Sequence, residues 1–275
     1  MTNHHVRFAP SPTGDLHLGH LYSAFYGWRA ANQNPDQFQL RIDDLDHTRC
    51  RSHFVSRHCD DLNWLGISWT KAPLYQSQRL HRYQSALAFL QERQWVYQCF
   101  LSRREVDEIL SAPQQQGGLL RGALSDAEIS DRIQDGTEPA WRLDMAKIKA
   151  HASGRPPALP WFDMQKGPQQ ISWEALDDKI IARRDIGTSY DLSVVLDDYD
   201  TGISLVTRGE DLFQQTHIHR ILQHVLCLPT PLYDHHPLIT DVKGKRLAKR
   251  DDAKSLATLR QDGATKADIM ALLPL

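Results

Sequence analysis

Two histidines, His17 and His20, stand three residues apart directly after a break in the chain. The break is Pro10–Gly14, where two prolines fix backbone dihedral angles and remove backbone donors. Apolar residues then recur with the spacing of one helix face, so both imidazoles are expected on the first turn of a helix. A helix N-terminus attracts anions, and Gly19 between the histidines lets a flat group approach the backbone. A histidine pair alone is more typical of surface residues or metal ligands, but after such a break it favours a nucleoside triphosphate site.

A basic segment near the C-terminus is the second candidate site. Val242–Arg250 holds five cations within nine residues. A glycine-containing loop of cations can close over a polyphosphate and neutralise charge that develops there. Alone, the pattern is equally typical of a solvated basic face or of a patch that contacts an RNA backbone. The polyphosphate interpretation therefore requires the two segments to lie together.

The elements around the histidines predict a βαβ unit. His5–Ala9 and Phe38–Ile42 alternate along their length as half-buried strands do, and the helix from near His17 lies between them. A strand, a crossover helix and a second strand predict a parallel α/β sheet. Further along, Leu192–Leu196 is nearly continuous in apolar, partly β-branched residues, so we expect a strand buried on both faces.

Composition and charge exclude several classes of protein. The 275 residues carry a net charge of −2, which excludes a polycation over the whole surface. No apolar stretch is long enough for a membrane span, and the N-terminal residues lack the apolar region of a secretory signal. Four scattered cysteines argue against a disulfide framework, so a cytoplasmic protein is expected. The sequence also lacks the motifs of serine hydrolases, P-loop proteins and dinucleotide-binding proteins.

The histidine segment and the basic segment both resemble signatures of a known family. Arg7–His20 resembles the HIGH signature of the class I aminoacyl-tRNA synthetases, in the form typical of the glutamyl and glutaminyl branch. Val242–Arg250 is similar to the second signature, KMSKS, which the glutamyl branch writes K-L-S-K-R. In that register Arg246 replaces the first lysine, Ala248 replaces the serine, and Lys249 retains the second lysine. The resemblance covers nearly the whole chain.

The resemblance implies a site for ATP and a site for glutamate. His17, His20 and Lys249 would act on ATP and its transition state, with Mg²⁺ as the counter-ion of the phosphates. The residues implied to contact ATP are Ser11, Gly19, Arg246 and Lys249. The residues implied to hold glutamate are Arg7, Ala9, Ser11, Asp43, Tyr190 and Arg208. Two arginines suit the side-chain carboxylate of the ligand, and Asp43, where the branch carries a glutamate, suits its ammonium group.

The same resemblance implies the fold and its organisation. We expect an α/β protein with a Rossmann-like parallel-sheet catalytic domain, an inserted α+β subdomain and a short helical C-terminus. The catalytic domain would occupy residues 1–96 and 179–242, with an acceptor-type insertion at 97–178 and the basic loop and tail at 243–275. Related enzymes often carry a zinc knuckle in the insertion, but Cys99 lacks the neighbouring cysteines, so no zinc is expected. Other histidines match no standard metal spacing: His217, His219, His224, His235 and His236.

The length after the basic segment indicates which acceptor is used. Only 25 residues follow it, too few for the helical anticodon-binding domain with which glutamyl-tRNA synthetases continue. The chain resembles the glutamyl-queuosine tRNA(Asp) synthetases, which activate glutamate without RNA and attach it to queuosine in the anticodon loop of tRNA(Asp). The implied partners are L-glutamate, ATP and queuosine-bearing tRNA(Asp), and we expect a monomer without a membrane partner.

Three alternatives stay open. The first is a shortened glutamyl-tRNA synthetase that charges a tRNA 3′ end. The second is a paralogue that passes an activated amino acid to a small molecule. The third is a catalytically inactive tRNA-binding paralogue. The departures at Asp43, Arg246 and Ala248 favour it, and the intact His17, His20 and Lys249 oppose it.

Overall fold

The computed structural model describes residues 3–111, 120–150, 157–173, 176–239 and 255–274. Its strands are β1 Val6–Phe8, β2 Phe38–Ile42, β3 Leu74–Tyr75, β4 Val96–Cys99, β5 Ala140–Leu143, β6 Pro160–Asp163, β7 Gly167–Gln170, β8 Ile180–Ala182, β9 Leu205–Gly209 and β10 Leu232–His236. Its α-helices are α1 Leu18–Ala30, α2 Ser52–Leu65, α3 Leu80–Glu92, α4 Arg103–Leu110, α5 Asp126–Gln134, α6 Met145–Ala150, α7 Tyr190–Asp200, α8 Gln215–Val225, α9 Leu256–Gln261 and α10 Lys266–Ala271.

The first strand, helix and strand form the predicted βαβ unit. β1 pairs in parallel with β2, in the register that sets Val6 opposite Phe38. α1 begins after His17, whose side chain accepts a hydrogen bond from the N–H of Gly19. A Cβ on Gly27 would lie 3.0 Å from Oγ1 of Thr207, so this glycine lets α1 lie close against β9.

An extended, mainly parallel sheet runs through the molecule. β2 pairs in parallel with β3, and β10 pairs in parallel with both β9 and β6. The N–H groups of Ser204 and Leu205 donate to the carbonyl of His5 at 3.0 and 3.2 Å, which places β9 beside β1. These contacts join the three-stranded sheet β3-β2-β1 edge to edge with the four-stranded sheet β9-β10-β6-β7, in which β7 is antiparallel to β6. This arrangement confirms the α/β fold with a Rossmann-like parallel sheet.

A separate, antiparallel sheet has the order β4-β5-β8 and shares a hydrophobic core with β6, β9 and β10. β5 comes from the segment predicted as an insertion, whereas β6 and β7, from the same segment, join the parallel sheet. β8, placed in the second catalytic half, joins the antiparallel sheet. The predicted insertion therefore contributes strands to both sheets, and so does the predicted catalytic domain. The domain boundaries stay a prediction.

The predicted strand at Leu192–Leu196 is wrong, because this segment lies within helix α7. Oγ of Ser189 accepts a hydrogen bond from the N–H of Leu192 and so caps the first turn. The helix is buried on nearly every side, so its apolar residues form a nearly continuous run instead of one face. A short apolar run of this kind has no periodicity that distinguishes a buried helix from a buried strand.

The C-terminal helices return to the start of α1. The N–H of Leu256 donates to the carbonyl of Leu16 at 2.8 Å, and Ser255 forms an isolated β-bridge with His17. Leu256 and Ile269 are buried in the same core as the apolar face of α1. None of the helices within the described ranges has both the length and the apolar character that a membrane span requires.

Replacement of Ser189 tests the cap that starts α7. Ser189→Ala removes the acceptor for the N–H of Leu192, so we expect the free energy of unfolding to fall by about 1 kcal/mol. Urea denaturation followed by far-UV circular dichroism measures it. Ser56→Ala, at an exposed interior position of α2, is the matched control and should change stability by less than about 0.5 kcal/mol. Equal effects of the two variants would contradict the assignment of the cap.

Candidate active site

A cavity of about 540 Å³ opens at the carboxyl ends of the parallel strands, beside the N-terminus of α1. Open α/β sheets bind their ligands at this edge. All nine predicted site residues that fall within the described ranges line the cavity: Arg7, Ala9, Ser11, His17, Gly19, His20, Asp43, Tyr190 and Arg208. The other two, Arg246 and Lys249, lie outside the described residues, as does Ala248.

The rings of His17 and His20 stack at the start of α1, with centroids 3.7 Å apart and planes inclined by 25°. Nδ1 of His17 accepts a hydrogen bond from the N–H of Gly19 at 3.1 Å, and Nδ1 of His20 accepts from the N–H of His17 at 3.4 Å. His17 therefore caps the helix and occupies the N–H of Gly19, one of the amides that a helix start can present to an anion. With both Nδ1 atoms accepting, the neutral rings carry their protons on Nε2, where they suit a phosphate oxygen.

Two arginines and two aspartates form a chain of buried ion pairs beside the cavity. Oδ1 of Asp198 lies 2.9 Å from Nε of Arg7 and 2.6 Å from Nη1 of Arg41. Nε of Arg41 also lies 2.7 Å from Oδ1 of Asp43. Burial alone would raise the pKa of Asp198, but the two guanidinium groups hold it below its usual value. Asp198 therefore stays ionised and fixes both arginines.

Asp43 combines a contact with Arg41 and a place in the cavity lining. Burial raises the pKa of this carboxyl group in spite of the guanidinium beside it. A cationic ligand would favour the ionised form, because opposite charges attract strongly where water is excluded. The position of Asp43 therefore suits an ammonium group of a ligand.

Arg208 is held by uncharged groups. Its Nε donates to Nε2 of His235 at 3.0 Å, its Nη1 to Nδ1 of His219 at 3.2 Å, and its Nη2 to Oγ1 of Thr216 at 2.6 Å. Arginine has only donors, so both imidazoles accept through unprotonated nitrogens. Burial, together with the charge of Arg208, lowers the pKa of His235 to about 4, and burial also lowers the pKa of His219. Both rings are therefore neutral near pH 7.

The residues that orient the predicted arginines were not indicated as site residues by the sequence. Asp198 is the second of two adjacent aspartates that directly follow the apolar run of α7, and a pair of acids in a buried segment was the available signal. His219 and His235 were considered only as metal ligands. The structure gives them another role, since both contact Arg208. Among the described residues, no group of three or more histidine, cysteine or acidic side chains could hold a metal ion.

Both ends of the segment that carries the basic residues lie at the cavity. Ile239 lines it, and Ser255 pairs with His17. Residues 240–254, between these two, are outside the part of the chain that the structure describes. The chain is thus anchored beside the stacked histidines immediately before and immediately after this segment.

The chain matches the family model for the catalytic domain of the class I tRNA synthetases (E and Q) over residues 3–275. It therefore belongs to this family of ligases, as its parallel sheet and the histidine-bearing start of α1 also indicate. The match confirms the resemblance found in the HIGH-like and KMSKS-like segments.

Within the family, the chain is similar to a glutamyl-Q tRNA(Asp) synthetase from Rhodobacter capsulatus, with 44% identity over 98% of this chain and 99% of that protein. It is 36% identical to a glutamate–tRNA ligase from a Synechococcus species, over 94% of this chain but 53% of that protein. The crystal structure of a glutamate-tRNA synthetase from Elizabethkingia anophelis superposes with a TM-score of 0.81 at 25% identity, covering 98% of this chain and 61% of that one. The chain thus spans little more than half of such ligases.

The depressed pKa of His235 predicts how stability depends on pH. Between its ordinary pKa of 6.5 and its folded value of about 4, the unfolded chain binds a proton that the folded protein excludes. Stability should therefore fall as the pH is lowered through this window, by about 3 kcal/mol from this group.

His235→Gln isolates that contribution, because the amide of glutamine can accept from Arg208 and donate to Asp163 without titrating. Urea denaturation at several pH values between 7 and 4 should show a shallower loss of stability for the variant. Parallel curves for the two proteins would show that His235 is not held neutral.

Proposed function

We propose that this protein activates L-glutamate with ATP and transfers it from glutamyl-adenylate to queuosine in the anticodon loop of tRNA(Asp), in the cytoplasm. The main support is the convergence of all nine described candidate residues on one cavity. The similarity to a glutamyl-Q tRNA(Asp) synthetase along 99% of that protein's length favours this acceptor over a tRNA 3′ end.

The first step is the attack of the α-carboxylate of glutamate on the α-phosphate of ATP, which releases pyrophosphate. It needs no protein nucleophile, so positioning and charge stabilisation supply the catalysis. His17 and His20 donate hydrogen bonds to the phosphates as the transition state forms, and Ser11 and Gly19 contact the nucleotide. Mg²⁺ on the ATP phosphates, where bound, adds positive charge at the same place.

The basic segment completes the ATP site in this proposal. Lys249 and Arg246 neutralise charge that develops on the phosphates. The positions of Ile239 in the cavity lining and of Ser255 beside His17 support this role, because these two residues flank residues 240–254. The replacement of a serine by Ala248 removes one hydroxyl group from the segment but none of its charges.

The glutamate ligand is oriented by its two charged ends. Arg208 and Arg7 bind the side-chain carboxylate, and Asp43 binds the ammonium group. Tyr190, Ala9 and Ser11 line the space between them. Arg7 shares its charge with Asp198, so Arg208 contributes the larger part of the attraction for a ligand anion.

The second step transfers the activated amino acid. A hydroxyl group of the queuosine cyclopentene ring attacks the carbonyl carbon of glutamyl-adenylate, an ester forms, and AMP leaves with the bonding electrons. The proton of the hydroxyl passes to water or to the leaving phosphate.

Removal of the Lys249 charge should slow activation. Lys249→Ala is expected to reduce glutamate-dependent exchange of pyrophosphate into ATP by about 10²-fold or more, the order of one lost electrostatic contact. Lys71→Ala, at an exposed position away from the cavity lining, is the control and should leave the exchange rate unchanged. An unaltered rate in Lys249→Ala would reject its assignment to the phosphates.

The acceptor can be tested with an RNA that has no amino-acid-accepting 3′ end. A synthetic anticodon stem–loop of tRNA(Asp) carrying queuosine should be labelled by radioactive glutamate and ATP. The same stem–loop with the unmodified base is the matched control and should stay unlabelled. Full-length tRNA transcripts, which have a 3′ end but no queuosine, should also stay unlabelled.

The outcomes separate the alternatives. Labelling of the transcript at its 3′ end would indicate a shortened glutamyl-tRNA synthetase. Adenylate formation without labelling of any RNA would indicate transfer to a small molecule. Absence of adenylate formation altogether would indicate an inactive tRNA-binding paralogue.

A further inference from the structure

We propose that His219 and His235 are positioning residues that hold the guanidinium of Arg208 without neutralising it, so that the cavity selects a ligand with a side-chain carboxylate over its uncharged amide. The inference rests on the proposed function in one respect, that the ligand of Arg208 is an amino acid. It goes beyond that function because it assigns the selectivity to two histidines outside the predicted site.

The contacts of Arg208 fix its orientation completely. Its guanidinium nitrogens Nε, Nη1 and Nη2 donate to His235, His219 and Thr216, at 3.0, 3.2 and 2.6 Å respectively. The guanidinium carbon also lies 5.4 Å from the centroid of the Tyr233 ring, within the range of a cation–π contact. Arg208, His219 and His235 are each at most 5% exposed, so little water screens these contacts.

Two aspartates fix the proton positions of the histidines. Nδ1 of His235 donates to Oδ2 of Asp163 at 2.5 Å, and Nε2 of His219 donates to Oδ1 of Asp191 at 3.1 Å. In each ring the nitrogen facing Arg208 must then be the acceptor. The negative charges therefore lie one imidazole away from Arg208 instead of in contact with it.

The three arginines of the cavity lining differ in whether a carboxylate pairs with them directly. Arg7 pairs directly with Asp198, and Arg41 pairs with Asp198 and Asp43. No carboxylate among the described residues lies within ion-pair distance of Arg208, whose partners are two imidazoles and a hydroxyl. Arg208 is thus the cavity arginine whose counter-charge a ligand must supply.

The selectivity follows from the cost of a buried charge. A guanidinium removed from water without a counter-ion is unfavourable, and a ligand carboxylate relieves that cost. An amide of the same shape supplies no negative charge and brings an N–H₂ group toward a donor-only partner. Sites built around buried polar groups reject analogues that leave those groups unpaired.

Variants of His219 test the acceptor itself. His219→Leu removes the acceptor for Nη1, and we expect the Kd for glutamate, measured by isothermal titration calorimetry on the full chain, to rise roughly tenfold or more. His219→Gln is the matched variant, because its amide oxygen can accept from Arg208 while its N–H₂ donates to Asp191. Its glutamate Kd should stay within about threefold of the parent.

The Kd for ATP separates positioning from general disruption. Both variants should bind ATP as the parent does, since the stacked histidines of the ATP site do not contact His219. Thr216→Val, a replacement of similar shape that removes the acceptor for Nη2, should reproduce the loss of glutamate affinity if His219→Leu fails to fold. Equal glutamate affinities for the leucine, glutamine and parent proteins would overturn the inference, and so would a parallel weakening of ATP binding.

The binding measurement does not depend on catalysis. A parent that binds glutamate but forms no adenylate would refute the proposed function, while the Kd series still decides the role of His219. A parent that binds glutamine as tightly as glutamate would overturn the inference even if adenylate forms.

Discussion

The balance of charge around three buried arginines is the constraint on which the rest of the site depends. Arg7 and Arg41 are both tied to Asp198, so they stay fixed and largely neutralised next to the cavity. Arg208 is held as rigidly, but by neutral acceptors. The cavity therefore combines two fixed, paired arginines with the guanidinium of Arg208, which has no carboxylate partner among the described residues. Because Arg208 is already held in place, it loses little conformational entropy when a ligand carboxylate binds.

The sheet explains how residues so distant in sequence reach one cavity. β1, β2, β9 and β10 end at the same edge, and the turns after them deliver Ala9, Asp43 and the residues near Arg208. α1 starts from that edge and adds the two stacked imidazoles. α7 lies among these elements, and its buried Asp198 accepts hydrogen bonds from both Arg7 and Arg41. One topology thus places the histidine-bearing start of α1 and the buried Arg208 at the same cavity.

Much of this arrangement could be predicted from the sequence, because local signals carry it. Prolines, period-two alternation and helix-face spacing located β1, α1 and β2. The two signature-like segments indicated the family, and the resemblance to that family implied the site residues that line the cavity. The strand expected at Leu192–Leu196 was wrong, since a nearly continuous apolar run is equally typical of a buried helix. The roles of His219 and His235 could not be found, because their partners are set by long-range packing that leaves no local pattern. For Asp198 the one local signal was the pair of acids in a buried segment, which does not name its arginine partners.

The proposed roles of the two imidazoles at the start of α1 and of Arg208 require ATP and an acidic amino acid to bind in the same cavity. Exchange of labelled pyrophosphate into ATP, assayed with each amino acid in turn and with RNA omitted, tests this most directly. Glutamate alone should support exchange, and glutamine should not. Exchange driven by glutamine or by an uncharged amino acid, with none from glutamate, would contradict the assignment of Arg208 and of the cavity.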